Sequence, residues 1–237
     1  MPSPAVYELR NYTTQPGQRD VLIALFEREF IESQETLGAR VVATFRNLDN
    51  PDRFVWIRSF ETIAARAAAL DGFYSGPIWQ ASRTAANATI IDSDDVLQLR
   101  PISGDPTLGA TLRPAMGATA IPETLIVSTT YFLADRQDDA FAALYAREVL
   151  PILREIGAEP FATFATEHAP NSYPRLPVRE TETVFVTLSY FASEQAHREH
   201  MSATSAALRD VAGVVQPWII APTQALRLQP TARSLLR

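Results

Sequence analysis

The residues best suited to chemistry are arginines, tyrosines and tryptophan at alternate positions of apolar segments. Arg10 and Tyr12 lie two apart in VYELRNY (6–12), with Glu8 before them. Trp56, Arg58 and Phe60 alternate in FVWIRSF (54–60), and Gln98 and Arg100 in VLQLR (96–100). In a strand, positions i and i+2 share a face. A guanidinium beside aromatic rings offers paired hydrogen bonds to a carboxylate or enolate-like anion between apolar walls. A tyrosine can donate to a developing oxyanion. Tyr12, Arg58 and Arg100 are therefore the expected catalytic groups. Arg10, Thr44, Trp56, Phe60, Gln98, Tyr131, Ser189 and Arg227 are the expected substrate contacts. The plainer alternative makes Arg58 and Arg100 ion-pair partners of Glu8 and other acids.

The three histidines are His168, His197 and His200. His197 and His200 are spaced i, i+3, on one face of a predicted helix. They are the alternative for a metal or haem enzyme, although no third ligand stands near them. The expected reading has no metal and no cofactor. There is no cysteine, which removes thiolate catalysis and iron–sulfur clusters, and all 21 basic residues are arginine, which removes a lysine Schiff base. Phosphate-cradling glycine loops and a G-x-S-x-G elbow are missing from the sequence. A net charge of −6 argues against nucleic acid or an acidic membrane as partner, and no run approaches the ~20 apolar residues of a membrane span. A small-molecule ligand and a cytoplasmic location are expected.

The elements that must position these residues occur twice. A shift of 119 places Tyr12 on Tyr131, Leu25-Phe26 on Leu144-Tyr145, Gly38-Ala39 on Gly157-Ala158 and Ala43-Thr44-Phe45 on Ala162-Thr163-Phe164. After a longer loop in the second half, Phe54-Val55 falls on Phe185-Val186, and Leu97, Leu99 and Pro101 fall on Leu226, Leu228 and Pro230. Each half reads strand, helix, strand, strand, helix, strand, the split βαββαβ pattern. In the first half, strands are predicted over 5–12, 39–47, 53–60 and 95–101. Its helices follow Pro16-Gly17 and cover 63–70 and 78–88, with a break between them marked by Asp71-Gly72 and then Gly76-Pro77. In the second half, Pro151 should kink the helix over 138–156, and Ser193 is the expected cap of the next helix. The fold class is thus α+β: two tandem ferredoxin-like domains, 1–102 and 124–237, joined by a linker over 103–123. Each sheet carries helices on one face only, so the two sheets should pack together as an intrachain pseudo-dimeric barrel, with a homo-oligomer as a further option. The aliphatic side of each strand is assigned to the helices, and the arginine–aromatic side to the space between sheets.

Val6-Tyr7-Glu8-Leu9-Arg10-Asn11-Tyr12 with Pro16-Gly17, then Phe54 to Glu61, Phe73-Tyr74, Trp79, and Val96 to Pro101, resemble a NIPSNAP domain over about residues 5–102. The second half fits loosely, with Thr129 where Arg10 stands and Thr187 where Trp56 stands. The resemblance implies a dimeric α/β-barrel. On that fold the leading reading is a small-molecule pocket between sheet and helices, in an enzyme or binding protein that is cofactor-independent and monooxygenase- or isomerase-like if catalytic, on an apolar or anionic small molecule. A non-enzymatic interaction module remains the other reading.

Overall fold

The computed structural model describes residues 6–110 and 112–237; Ala5, the predicted start of the first strand, lies outside them. Nine strands form: β1 (Val6–Thr14), β2 (Arg40–Asn47), β3 (Arg53–Phe60), β4 (Ile90–Asp92), β5 (Val96–Gly104), β6 (Leu125–Leu133), β7 (Ala162–Thr166), β8 (Thr183–Phe191) and β9 (Ile219–Pro230). In the first half the strands pair antiparallel in the order β2–β3–β1–β5, and in the second in the order β7–β8–β6–β9. Two further antiparallel ladders, β5–β7 and β2–β9, join the halves. Eight strands thus close into a barrel, and short β4 is added beside β1.

Closure changes which face is inside. Val55 and Ile57 of β3, Leu97 and Leu99 of β5, Ile126 of β6, Val184 and Val186 of β8 and Leu228 of β9 meet in one buried cluster within the barrel. An eight-strand barrel is just wide enough for side chains to fill, and mostly aliphatic chains fill it, with Tyr7, Phe45 and Phe164 among them. The opposite face, with Phe54, Trp56 and Phe60, packs under the helices. The expected assignment of the two faces is therefore reversed: the aliphatic side points inward and the arginine–aromatic side meets the helices.

In the first half, α1 (Arg19–Leu25) runs through a π-turn at Phe26–Phe30 into α2 (Ile31–Glu35), ending at Gly38 with φ +91°. Glycine adopts this conformation without a side-chain clash. α3 (Ile63–Ser75) and α4 (Pro77–Thr89) follow, separated at Gly76; Asp71-Gly72 lies inside α3 and does not break it. In the second half, α5 (Asp138–Leu144) runs through a π-turn at Tyr145–Val149 into α6 (Leu150–Glu155). The two π-turns occupy positions exchanged by the 119-residue shift. Pro151 follows the second, and the first forms without a proline, so the distortion belongs to the helix position rather than to Pro151. α7 (Glu194–Ala203) and α8 (Ser205–Val215) complete the layer, with Ser193 accepting from the Ala196 N–H at 3.0 Å as expected of its cap.

Two boundaries move. Ser103 and Gly104, placed in the linker by the sequence, belong to β5 and pair with Thr163 and Ala162. A side chain at Gly104 would collide with the Phe161 carbonyl at 1.9 Å, so this crossing requires glycine. The C-terminal segment after β9 lies along β2, where the Thr231 N–H donates to the Thr44 carbonyl and the Leu236 N–H to that of Val42. No described helix is long and apolar enough to cross a membrane.

Candidate ligand site beneath the first-half helices

The strand period sets the site. Glu8 faces Arg58, Arg10 faces Trp56 and Tyr12 faces Phe54 across the β1–β3 ladder. Glu8 is the hub, wholly buried with three guanidiniums around it. Arg10 Nη1 donates to Oε2 at 2.7 Å, Arg58 Nε to the same oxygen at 2.7 Å, and Arg66 Nε, from α3, to Oε1 at 2.6 Å. All three arginines are fully buried as well. Burial alone would raise the Glu8 pKa, but Arg58, Arg10 and Arg66 together hold its carboxyl far below the usual carboxylate range.

Other guanidinium donors reach neutral partners, while Arg58 Nη2 and Arg66 Nη2 are buried without a hydrogen bond among the described residues. Arg58 Nη1 donates to Gln34 Oε1 of α2 at 2.9 Å, and Arg10 Nε to the Tyr12 oxygen at 3.0 Å. Arg66 Nη1 donates to Asn171 Oδ1 at 3.0 Å and Ser172 Oγ at 3.1 Å. These last two belong to the long β7–β8 loop, so the second half of the chain is tied to the first through Arg66. Burial raises the Tyr12 pKa despite the opposing pull of Arg10, so this phenol stays protonated at neutral pH. Because its oxygen accepts from Arg10, its own proton is free to be donated elsewhere.

Beside this network lies a cavity of about 270 Å³. Its walls are Phe26 and Phe30 of the π-turn, with Trp56, Phe73, Tyr74 and Trp79. Tyr12 and Gln34 bring the polar network to its edge, while Tyr173, Arg175 and Leu176 of the β7–β8 loop cover it. Tyr173 stacks on Tyr74 with ring centroids 6.1 Å apart and planes at 17°. Trp56 Nε1 and the Tyr173 hydroxyl are buried and have no hydrogen-bond partner among the described residues.

The structure brings Arg10, Tyr12, Trp56, Arg58 and Phe60 together; the Arg58 guanidinium lies 5.0 Å from the Trp56 ring centre and 5.4 Å from that of Phe60. It takes the other expected residues elsewhere. Arg100 pairs with Asp138 at 2.8 Å and Asp139 at 2.6 Å, because β5 turns its outer face toward the start of α5. Gln98 donates to the Ala169 carbonyl and lines a separate cleft with His168, whose Nε2 is 2.9 Å from Asp138 Oδ1. Thr44 is covered by the C-terminal segment, its hydroxyl 2.6 Å from that of Thr231. Tyr131 and Ser189 lie on strands of the second half, and Arg227 pairs with Asp49 at the surface. Of the two expected partners for Glu8, Arg58 is found there and Arg100 is not.

Gln34, Arg66 and the Asn171–Tyr173 lid escaped the sequence reading. Arg66 did carry a signal: it precedes Ala69, Leu70 and Phe73 at helical spacing on the buried face of α3. Gln34 and the lid carried none. His197 and His200 pack against Phe191 at 4.8 Å and 5.5 Å and do not line the cavity. Among the described residues, no group of three or more metal-ligating side chains forms.

The NIPSNAP family model matches residues 7–104. The match lies wholly within the first half of the chain. It contains Glu8, its three arginines and Gln34; only the lid comes from outside it. Solved structures resemble the whole chain. A candidate monooxygenase of Fusobacterium nucleatum is 10% identical, covers 98% of this chain and 94% of its own, and superposes with a TM-score of 0.61. An anthrone oxidase-like protein is 15% identical over 97% and 92%, with a TM-score of 0.59. A candidate monooxygenase of Lactobacillus acidophilus is 10% identical over 98% and 97%, with a TM-score of 0.57. At these identities the likeness concerns the fold. No curated protein matches the chain.

Proposed function

We propose that this chain is a duplicated ferredoxin-like protein whose first half is a small-molecule enzyme of the cofactor-independent monooxygenase kind. Its substrate is an aromatic molecule bearing a hydroxyl or enolisable carbonyl, held between sheet and helices. The observation that carries this reading is the cavity itself: an aromatic-walled space of about 270 Å³ with a buried tyrosine–arginine pair at its edge. Cavities of about 150 Å³ accept benzene, so there is room here for fused rings. The names of the anthrone oxidase-like and monooxygenase neighbours point the same way.

The geometry suits such chemistry. Aromatic walls exclude water, which strengthens every polar contact inside. Tyr12, held by Arg10, donates to the substrate oxygen as charge develops on it. The electron-rich substrate then reacts with dioxygen. In the overall balance a CH₂ group becomes C=O, one oxygen atom enters the product, the other leaves as water, and the substrate supplies both hydrogens and all the electrons. No other reductant is needed.

The test is turnover of anthrone in air, followed by quinone absorbance and by ¹⁸O₂ incorporation. Wild type should convert it, and Tyr12→Phe should lower kcat/KM at least tenfold, the loss of a contact that stabilises the oxyanion. Absence of turnover across anthrone and naphthol substrates would overturn the reading.

A further inference from the structure

We propose that the ligand of this cavity is an aromatic monoanion, bound in its ionised form. The inference rests on the reading of the cavity as a ligand site and names the charge of what enters it. Three guanidiniums and one carboxylate, each fully buried, leave two positive charges unbalanced beside the cavity. Buried charge is costly unless it is paired. The hydrogen bonds to Tyr12, Gln34, Asn171 and Ser172 satisfy donors but bring no negative charge.

The protein does not supply the missing anion. No acidic residue lines the cavity, and the charged residue that does, Arg175 at the mouth, adds a third positive charge. Asp95, near the end of β1, is engaged by Arg179 at 2.9 Å and Arg53 at 3.9 Å. Tyr12 stays protonated because burial outweighs Arg10. This positive interior sits in a chain of net charge −6, so it is a local feature of the site and not a reflection of overall composition. An anion would have its charge offset by Arg10 through Tyr12, with Trp56 Nε1 and the Tyr173 hydroxyl as two further unpartnered groups on the wall.

Isothermal titration at pH 7 with 2-naphthoate and 2-naphthamide, near-isosteres differing in charge, tests this on the wild-type protein. Naphthoate should bind at least tenfold more tightly. It should also quench tryptophan fluorescence, since Trp56 and Trp79 line the cavity. Arg10→Gln should shrink the preference severalfold; should that variant not fold, the wild-type ratio still decides. Equal affinities would overturn the anion inference while leaving the cavity reading standing. Binding by neither probe would overturn both. A preference that survives unchanged in folded Arg10→Gln would place the anion elsewhere and overturn the proposal.

Discussion

In the first half Glu8 stands opposite Arg58 across the β1–β3 ladder; in the second, Val127 stands opposite Ser189 at the same step of β6–β8. One step on, Arg10–Trp56 is matched by Thr129–Thr187, and then Tyr12–Phe54 by Tyr131–Phe185. The helices follow suit. Gln34 has Leu153 at the shifted position, and Arg66, four residues after its cap Thr62, has His197, four after Ser193. Where the first half holds charges and a cavity, the second holds Tyr131, Phe141, Tyr145, Phe185 and Trp218 in mutual ring contact. The same frame, with the same π-turn, is therefore built without a buried ion network at the matching positions. The buried charges of the first half are not needed by the frame, and this fits their assignment to a ligand.

Breaking the network at its hub should give the largest effect. Glu8→Gln leaves three buried guanidiniums around a neutral amide and should cost about 3–5 kcal/mol in urea denaturation. Val127→Ala, at the matching position, should cost about 1 kcal/mol. Equal losses would erase the distinction between the halves.

Acid and alkali should sharpen the comparison next. The Glu8 pKa is lower in the fold than its unfolded value of about 4.3. Its stabilisation is thus complete above that pH and drains away as pH falls through the folded value. Glu8→Gln should flatten this acid limb. Burial pushes the Tyr131 phenol up to about 12, against a small opposing pull from its hydrogen bond with Tyr145. Its contribution is full below the unfolded value of about 10 and lost as pH rises through about 12. In a 295 nm titration, Tyr131→Phe should remove one phenol from the late-ionising group and none from the early one.

The smallest effect is expected at Arg100, which lies away from both layers' cores. Arg100→Gln removes a partly exposed guanidinium from buried Asp138, which keeps His168 as a partner, and from exposed Asp139. It should cost about 1 kcal/mol or less and leave 2-naphthoate affinity unchanged. A tenfold loss of affinity would return Arg100 to the site that the sequence had suggested for it.

Alternation and the 119-residue shift were enough to say which residues travel together: Glu8 with Arg10 and Tyr12, and Trp56 with Arg58 and Phe60. These groupings follow from the two-residue period of a strand and hold wherever the strand is placed. Local signals were legible for the same reason, as at Ser193, because a serine cap acts within a few residues. The direction in which each face points was not local. It depends on closure through β5–β7 and β2–β9, ladders between residues 58 or more positions apart. Closure leaves an interior with room for aliphatic side chains and sends arginine and tryptophan to the roomier space beneath the helices. The same long-range pairing carried Arg100 away to α5 and brought the β7–β8 loop to Arg66. No spacing along the chain encodes a meeting between residues 8, 66 and 171; packing the two halves into one barrel creates it.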